Sequence, residues 1–379
     1  GPQRHRVAVG APSGGRSVAG NPIGVVGATG AAAGGGAVGG AAAERVLEAP
    51  HVILATGSRV KGLPMLQPDG ERVWSSDQAV YPPAIPSSLL VVGAGAVGME
   101  FADVYASFGT AVTVLEAADR VLPIEDADVS AVVEKAYRKR DITVHTGVRL
   151  DRPEISADSV RLAVTLRDGS ATTLEAERVL VAVGRAPVTE GSGITESGVE
   201  LTERGFVKVD ARMRTNVPGL YAIGDLAGGA LLAHKAWAEA AAVVGGIAQD
   251  PYVAVDYSNI PSVTYCHPEV AAVGLTEAAA RAQGYEITVG KFPWSANGRA
   301  RGMGETDGFI KVVRNARYGE LLGAHIVGPH ASELIGTFVV GRLLETTVEE
   351  LDLAVLPHPT LADSIPEAAL DALGKAIHI

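Results

Sequence analysis

The sequence has 379 residues, is 47% hydrophobic and 20% charged, and has a mean hydropathy of +0.20, as is typical of a folded protein of two or three domains. Its net charge of −11 argues against nucleic-acid and anionic-membrane ligands, since both require a basic surface. A single cysteine, Cys266, excludes an internal disulfide, and the lack of a signal peptide or a ~20-residue apolar run predicts a cytoplasmic protein that does not enter a membrane.

Residues 1–50 differ from the rest, because 13 glycines and 12 alanines make up half of them. Dense glycine raises the entropic cost of ordering a backbone, so we expect a flexible or poorly packed leader without a helix or a central strand. The alternative is a dinucleotide loop at residues 24–30, after the strand-like residues 23–26. Such a loop requires an amphipathic helix next, and poly-Gly/Ala follows instead.

Strands and helices alternate from residue 51 onward. Strands are predicted at 51–54 (buried), 89–92, 111–115, 142–144, 179–183 and 220–223, with helices after 95, near 126–138 and from 233, and a polar antiparallel stretch at 160–177. The apolar spacing of the first helix predicts that its buried face consists of Val97, Phe101, Val104, Tyr105 and Phe108. This alternation predicts an α/β fold with a doubly wound parallel sheet.

The strongest chemical signal is a GxGxxG motif between the strand at 89–92 and the helix. Gly93 allows a tight turn, Gly95 lets the backbone approach a pyrophosphate, and Gly98 lets the helix pack closely on the strand. Glu116 ends the next strand, 18 residues after the last glycine, where it would accept hydrogen bonds from ribose hydroxyls. A carboxylate there repels the 2′-phosphate of NADP, so the motif predicts NAD.

A second strand ends in an acidic residue, Asp225, shortly before the helix that begins at Ala233. A carboxylate at this edge of an α/β sheet often contacts a bound ligand. The alternative is that Asp225 caps the helix.

Together, these segments resemble the flavoprotein disulfide reductases with two dinucleotide sites, most closely the dihydrolipoyl dehydrogenases. The resemblance runs from about residue 51 to residue 379 and rests on the motifs at 55–58, 92–100, 183–187, 224–225, 231–234, 265–277 and 358–363. It implies a Rossmann-like NAD-binding domain (88–187) inserted in a partial FAD-binding domain (51–87 and 188–258), and a C-terminal α+β dimerisation domain (259–379).

The resemblance also assigns site residues for both cofactors. NAD would contact Gly93, Gly95, Gly98, Glu100, Glu116, Val148 and Gly184. FAD would contact Thr56, Gly57, Ser58, Asp225, Leu231, Leu232, Ala233 and His234.

By the same resemblance, His358 is the general base that takes a thiol proton from dihydrolipoamide, with Asp363 holding its second nitrogen. A histidine titrates near neutral pH and a carboxylate fixes its tautomer, so the pair suits this chemistry. Without the resemblance, an exposed loop histidine with no catalytic role is an equal alternative.

Three departures from the family pattern limit these assignments. The segment with the first GxGxxG and the redox-active cysteine pair is missing from this sequence, and residues 1–50 supply neither. Cys266 is expected to be an unreactive core residue on a buried strand. Position 363 is Asp where the family has Glu, and the shorter side chain is expected to lengthen or break its contact with His358.

The C-terminal region is expected to form the homodimer. Strands are predicted at 270–273, 309–313 and 325–327, with helices at 332–344 and 366–376. Phe292 and Trp294 are candidates for interface anchors, with packing in the core as the alternative. The histidines of this region lack the spacing of metal ligands, so no metal site is expected.

Three functions are compatible with these observations. The first is an enzyme that oxidises the dihydrolipoamide of a lipoyl domain in a 2-oxo-acid dehydrogenase or related complex, passing electrons through FAD to NAD. The second is an inactive fragment that dimerises and binds NAD, which the missing cysteine pair favours. The third is another flavin-dependent disulfide reductase, although Glu116 disfavours NADP-dependent members and the base motif disfavours oxidases.

Overall fold

A computed structural model describes residues 5–9, 23–26, 45–249 and 254–379. Contacts divide the chain into two compact units. The first unit comprises Gly1–Arg59 and Arg185–Asp256, and the second comprises Val60–Gly184 and Tyr257–Ile379. The predicted NAD-binding region and the C-terminal region therefore fall mostly within one unit.

The described residues form a mixed α/β structure, which confirms the predicted fold class. The strands are β1 (His5–Val9), β2 (Ile23–Val26), β3 (Arg45–Ala49), β4 (Val52–Leu54), β5 (Ser58–Val60), β6 (Val73–Trp74), β7 (Ser88–Val92), β8 (Ala111–Leu115), β9 (Thr143–His145), β10 (Arg149–Ile155), β11 (Val160–Thr165), β12 (Ala171–Ala176), β13 (Arg178–Val181), β14 (Arg185–Pro187), β15 (Leu220–Ala222), β16 (Ser262–Thr264), β17 (Glu269–Gly274), β18 (Ile287–Pro293), β19 (Phe309–Asn315) and β20 (Leu321–Gly328). The α-helices are α1 (Ser76–Val80), α2 (Ala96–Ser107), α3 (Ala127–Lys139), α4 (Ala233–Ala248), α5 (Glu277–Ala282), α6 (Gly298–Met303), α7 (Ala331–Leu343), α8 (Val348–Leu353) and α9 (Ser364–Ala372).

The described parts of residues 1–50 correct the expectation that this leader contains no central strand. Strands β2, β1 and β3 form an antiparallel sheet with β1 in the centre. The antiparallel pairing of β2 does not match a dinucleotide βαβ unit, whose strands are parallel. Of the glycine loop proposed at residues 24–30, residues 24–26 lie in β2 and residues 27–30 lie outside the described residues.

Elsewhere in this unit, β4 pairs with β15 in parallel, so the turn after each strand lies at the same edge. The prediction of a buried strand at 51–54 was wrong in one respect. Of the three residues of β4, only Leu54 is buried.

The second unit contains the predicted doubly wound sheet. Its strands lie in the order β6-β13-β7-β8-β9, and every pair is parallel. Helices α2 and α3 connect β7, β8 and β9, as the alternating pattern predicted. The antiparallel strands β10, β11 and β12 form a separate small sheet.

The predicted buried face of α2 was largely wrong. The residues that α2 buries are Gly98, Met99, Ala102 and Tyr105. Val97, Val104 and Phe108 are exposed, Phe108 by 63%. Gly98 must face β7, because the helix approaches the carbonyl oxygen of Gly93 too closely there for any side chain. This contact sets the rotation of the helix about its axis more strongly than the apolar spacing does.

The C-terminal part of the second unit is the expected antiparallel sheet, in the order β16-β17-β20-β19-β18. Helices α7 and α9 pack on it. Phe292 and Trp294 are 3% and 0% exposed within this core, so they pack internally and are not interface anchors. Cys266 is buried as expected, but it lies in the connection between β16 and β17 and not on a strand.

An ion cluster around the buried side chain of Lys311 joins the two parts of the second unit. The ammonium group of Lys311, on β19, contacts carboxylates of Asp126 (2.9 Å), Asp128 (2.8 Å) and Glu277 (2.9 Å). Burial alone would lower the pKa of Lys311, but its hydrogen bonds to the three carboxylates raise it above the ordinary value. The cluster fixes the start of α3 to the C-terminal sheet.

Among the described residues, no helix is long and apolar enough to cross a bilayer.

Candidate functional site

The loop between β7 and α2 has the close contacts that its glycines predicted. Gly93 has a φ of +102°, and a Cβ atom there would lie 2.5 Å from the carbonyl oxygen of Ala182. A Cβ atom on Gly98 would lie 1.8 Å from the carbonyl oxygen of Gly93. Any larger residue at either position would push the loop or the helix out of place.

Gly95 differs from these two glycines because its α-carbon faces open space. A Cβ atom there would meet no atom within 4 Å. Gly95 is also the N-cap residue of α2, and no side chain caps this end of the helix. The first turn of α2 therefore offers backbone N–H groups and a positive dipole end to an anion such as a pyrophosphate.

Glu116 follows β8 and faces this loop. Its carboxylate accepts hydrogen bonds from the backbone N–H groups of Ala94 (2.6 Å) and Ala118 (2.7 Å). The acidic group is thereby fixed beside the glycine loop, at the edge of the sheet where a ribose would lie.

The other residues predicted to line NAD have different surroundings. The carboxylate of Glu100 accepts a hydrogen bond from the backbone N–H of Tyr265 (2.8 Å), and burial raises the pKa of Glu100. Val148 is buried, and its backbone N–H donates to the carbonyl oxygen of Glu116 (3.0 Å). Gly184 is exposed, with a φ of +110°. A role of these three residues in NAD binding stays a prediction.

The predicted FAD contacts of the first unit lie at the edge where β4 and β15 end. Thr56 donates its hydroxyl hydrogen to the carbonyl oxygen of Val188 (2.6 Å), and the backbone N–H of Val188 donates to the carbonyl oxygen of Gly57 (3.0 Å). The hydroxyl of Ser58 donates to the Oδ2 atom of Asp225 (2.5 Å). The structure thus brings Ser58 and Asp225 together from positions 167 residues apart.

Arg185, to which the sequence assigned no role, extends this network. Its Nε–H group donates to the hydroxyl of Ser58 (2.6 Å), and its Nη2 group donates to the carbonyl oxygen of Ser58 (2.8 Å). Asp225 lies in a 3₁₀ turn, Gly224–Ala227, whereas the N-cap of α4 is Leu232. Asp225 therefore does not cap α4, and the capping alternative was wrong.

A buried ion pair on α4 holds the turn that carries Asp225, and the sequence analysis missed it. Lys235 and Glu239 are each 1% exposed and their charged groups are 2.9 Å apart. The ammonium group of Lys235 donates to the carbonyl oxygens of Gly224 (3.1 Å) and Gly228 (2.9 Å). The carboxylate of Glu239 accepts from the backbone N–H of Gly224 (2.7 Å). The available signal was a Lys–Glu pair at i, i+4 in a helix otherwise rich in small apolar residues.

The remaining predicted FAD contacts lie at the start of α4. Leu231 and Leu232 are half-buried, and Ala233 and His234 are exposed in the first turn. No side chain forms a capping hydrogen bond at this helix end. Like the start of α2, it can present backbone N–H groups to a phosphate.

His358 and Asp363 form a pair near the end of the chain. The Nδ1 atom of His358 and the Oδ2 atom of Asp363 are 2.8 Å apart, so the expectation that the shorter aspartate weakens this contact was wrong. The imidazole is 79% exposed and the carboxylate 19% exposed. The Nε2 atom of His358 is thus the ring nitrogen available to an external proton donor.

Cys266 is suited to packing, not to chemistry. Burial raises the pKa of its thiol to about 12, so almost none is thiolate at neutral pH. Within the parts of the chain that the structure describes, no group of three or more His, Cys, Asp and Glu side chains is arranged to hold a metal ion.

Comparison with known proteins identifies the folds around these sites. The sequence profile of the pyridine nucleotide-disulphide oxidoreductases matches residues 25–240, and the profile of their dimerisation domain matches residues 260–369. The chain is 44% identical to the dihydrolipoyl dehydrogenases of Rhizobium etli and Zymomonas mobilis, over 88% of this chain and 70% and 72% of theirs. It also resembles the crystal structure of LpdA from Mycobacterium tuberculosis, with a TM-score of 0.79 and 32% identity over 86% of this chain and 70% of that one.

Proposed function

The chain belongs to the pyridine nucleotide-disulphide oxidoreductases, a family that uses FAD and NAD, and from this premise we propose that it acts in the NAD-dependent oxidation of dihydrolipoamide. The observation that carries the proposal is that one chain contains both a glycine loop suited to NAD and a hydrogen-bonded histidine and carboxylate suited to deprotonating a thiol. The matched dimerisation domain supports a homodimer.

The residues present fit both cofactors. For NAD, Gly95 leaves open space at an uncapped helix end, and Glu116 provides a fixed acceptor for ribose hydroxyls. For FAD, Asp225 is fixed at a sheet edge and α4 begins without a side-chain cap. Bound FAD supplies the two-electron carrier between a thiol pair and the nicotinamide.

The role of His358 follows from its hydrogen bond. With the Nδ1–H group donating to Asp363, the Nε2 atom carries a lone pair and accepts the proton of a substrate thiol. The carboxylate then stabilises the imidazolium that forms. Because the thiolate and not the thiol is the nucleophile, this proton transfer makes the substrate reactive toward a disulfide.

That disulfide needs two cysteines, and the 379 residues contain one, which is buried. We therefore propose that these residues supply the NAD site, part of the FAD site and the base, and that on their own they have little or no dihydrolipoamide activity. A second candidate follows from the same observation, in which the chain binds NAD and dimerises without catalysis.

For the first candidate, we propose a lipoyl domain of a 2-oxo-acid dehydrogenase or related complex as the partner, and the cytoplasm as the location.

The proposal is tested on the purified chain in three steps: titration with NADH, titration with FAD, and an assay of NAD reduction by dihydrolipoamide. We expect both nucleotides to bind and the assay to show little or no turnover. Failure to bind NADH would contradict the oxidoreductase assignment. Turnover with bound flavin would contradict the statement that a further cysteine pair is needed, and binding of NADH without FAD would favour the second candidate.

A further inference from the structure

Beyond His358 and Asp363, a third side chain is built into the base. Asn297 lies between the 3₁₀ turn Trp294–Ala296 and helix α6, and it is 4% exposed. Its Nδ2 atom lies 2.7 Å from the Oδ1 atom of Asp363. The other carboxylate oxygen, Oδ2, is the one that meets Nδ1 of His358 at 2.8 Å. The three side chains thus form one hydrogen-bonded series.

The orientation of the Asn297 amide is set by its own surroundings. Its Oδ1 atom accepts a hydrogen bond from the backbone N–H of Ala300 (2.8 Å), which caps the start of α6. Since this contact requires an oxygen, the NH₂ group must face the other way. There it also contacts the carbonyl oxygen of Thr360 (2.9 Å) and the hydroxyl of Ser364 (2.8 Å). The donor that meets Asp363 is therefore fixed on both sides.

We propose that Asn297 is a positioning residue for the base. By holding one oxygen of Asp363, its amide keeps the other oxygen directed at His358, which fixes the ring proton on Nδ1 and leaves Nε2 unprotonated. The exposed imidazole has Asp363 as its side-chain hydrogen-bond partner, so an unconstrained carboxylate would leave the ring free to rotate and to change tautomer. Only the role of this base toward a substrate thiol rests on the proposed function.

The shorter carboxylate gives Asn297 its importance. An aspartate side chain has one methylene fewer than glutamate, so it reaches His358 over a narrower range of rotamers. The backbone N–H of Thr360 also approaches the Oδ2 atom of Asp363, at 3.2 Å, but it cannot hold the Oδ1 side of the carboxylate. Asn297 supplies that second point of attachment.

The test measures the tautomer of His358 by ¹⁵N NMR of the full chain with ring-labelled histidine, at a pH where the imidazole is neutral. The resonance is assigned with His358→Gln. In Asn297→Ser the serine can still cap α6, but its side chain is too short to replace the amide donor. We expect the ratio of the Nδ1–H to the Nε2–H form to fall by about fivefold, as the loss of one hydrogen bond implies.

A double-mutant cycle separates positioning from a general structural effect. Asp363→Ala should lower the ratio at least as much, and Asn297→Ser should cause no further change in the Asp363→Ala background. Ser364→Ala, which removes another partner of the same amide, should change the ratio less than Asn297→Ser, because the amide donor remains and the carbonyl oxygen of Thr360 still holds it. If Asn297→Ser does not fold by circular dichroism, Asn297→Thr provides the same test, because threonine also caps a helix and its side chain is too short to replace the amide donor.

A wild-type tautomer ratio in a folded Asn297 variant would overturn the proposal, as would a further change in the double variant. The measurement requires neither cofactor nor turnover. Its failure is therefore distinguishable from failure of the proposed function, which appears as loss of NADH binding.

Discussion

The glycine loop of residues 93–98 and the Asp225 network are both placed at the carboxyl edges of parallel strands, but they are built in different ways. The glycine loop is made by backbone geometry within a short segment, where Gly98 approaches Gly93 so closely that no side chain fits between them. The Asp225 network is made by side chains that meet across 127 and 167 residues of sequence, from Arg185 to Ser58 and from Ser58 to Asp225.

This difference explains why the geometry of the glycine loop was predicted from the sequence, whereas for the second site the sequence named Ser58 and Asp225 but not their contact with each other or with Arg185. A local glycine pattern between a strand and a helix has few alternative structures, so the spacing of the glycines predicts the geometry of the loop. A network assembled by the fold has no spacing of its own, because its members become neighbours only after folding. The two sites should also respond differently to mutation.

The largest effect is expected in the first unit, from Lys235→Met. Removing the ammonium group leaves the carboxylate of Glu239 buried without its partner, which costs about 3–5 kcal/mol of unfolding free energy. FAD affinity should fall as well, since the turn carrying Asp225 loses two hydrogen bonds. Urea unfolding and FAD titration measure the two effects.

The matched control for this variant is Lys208→Met, which removes the solvent-exposed ion pair with Glu200 in the same unit. Its cost should stay below ~1 kcal/mol. Equal destabilisation by the two variants would show that the buried pair has no special role in holding the turn.

The next largest effect is expected at the glycine loop of residues 93–98, from Gly98→Val. The new side chain would overlap the Gly93 carbonyl, where a Cβ atom alone would lie at 1.8 Å. It should lower the free energy of unfolding by about 3 kcal/mol and remove most NADH affinity.

Gly95→Ala is the sharper companion variant, because its Cβ atom meets open space. It should cost less than ~1 kcal/mol in urea unfolding but still weaken NADH binding, since the added methyl occupies the proposed pyrophosphate position. If Gly95→Ala bound NADH like the unchanged chain, the predicted position of the pyrophosphate would be wrong.

The sequence predicted the local features of the fold better than the contacts between distant residues. The parallel strands around β7 and the glycine loop were predicted, because each is a local pattern. The buried face of α2 was not, since the apolar residues Val104 and Phe108 are exposed while Gly98 and Ala102 are buried. A hydrophobic pattern cannot show which face of a helix a glycine contact selects.

Within the sites, individual residues show the same limit. His358 and Asp363 were recognised as a pair because they lie in one short motif that resembles the family's, whereas Asn297 meets Asp363 across 66 residues and was missed. Trp294 was a candidate for an interface because large aromatic residues are frequent there, yet it is fully buried. Composition and spacing do not specify which surface a residue faces once distant strands have paired.

A smaller effect is expected from Ser58→Ala, which removes the hydroxyl between Arg185 and Asp225. Losing these hydrogen bonds should cost about 1–1.5 kcal/mol and weaken FAD binding by about tenfold. Thr195→Ala, an exposed hydroxyl in the same unit, is the control and should leave FAD affinity unchanged. If Ser58→Ala also left FAD affinity unchanged, the network would be structural without a role at the flavin.

The central claim is that the loop of Gly93, Gly95 and Gly98, with Glu116 beside it, selects a nucleotide whose ribose carries no phosphate. Titration of the purified chain with NADH and with NADPH, followed by nucleotide fluorescence, tests it most directly. The carboxylate predicts that NADH binds at least about tenfold more tightly, a difference of about 1.4 kcal/mol. Equal affinity for the two nucleotides, tighter binding of NADPH, or no binding of either would contradict the claim.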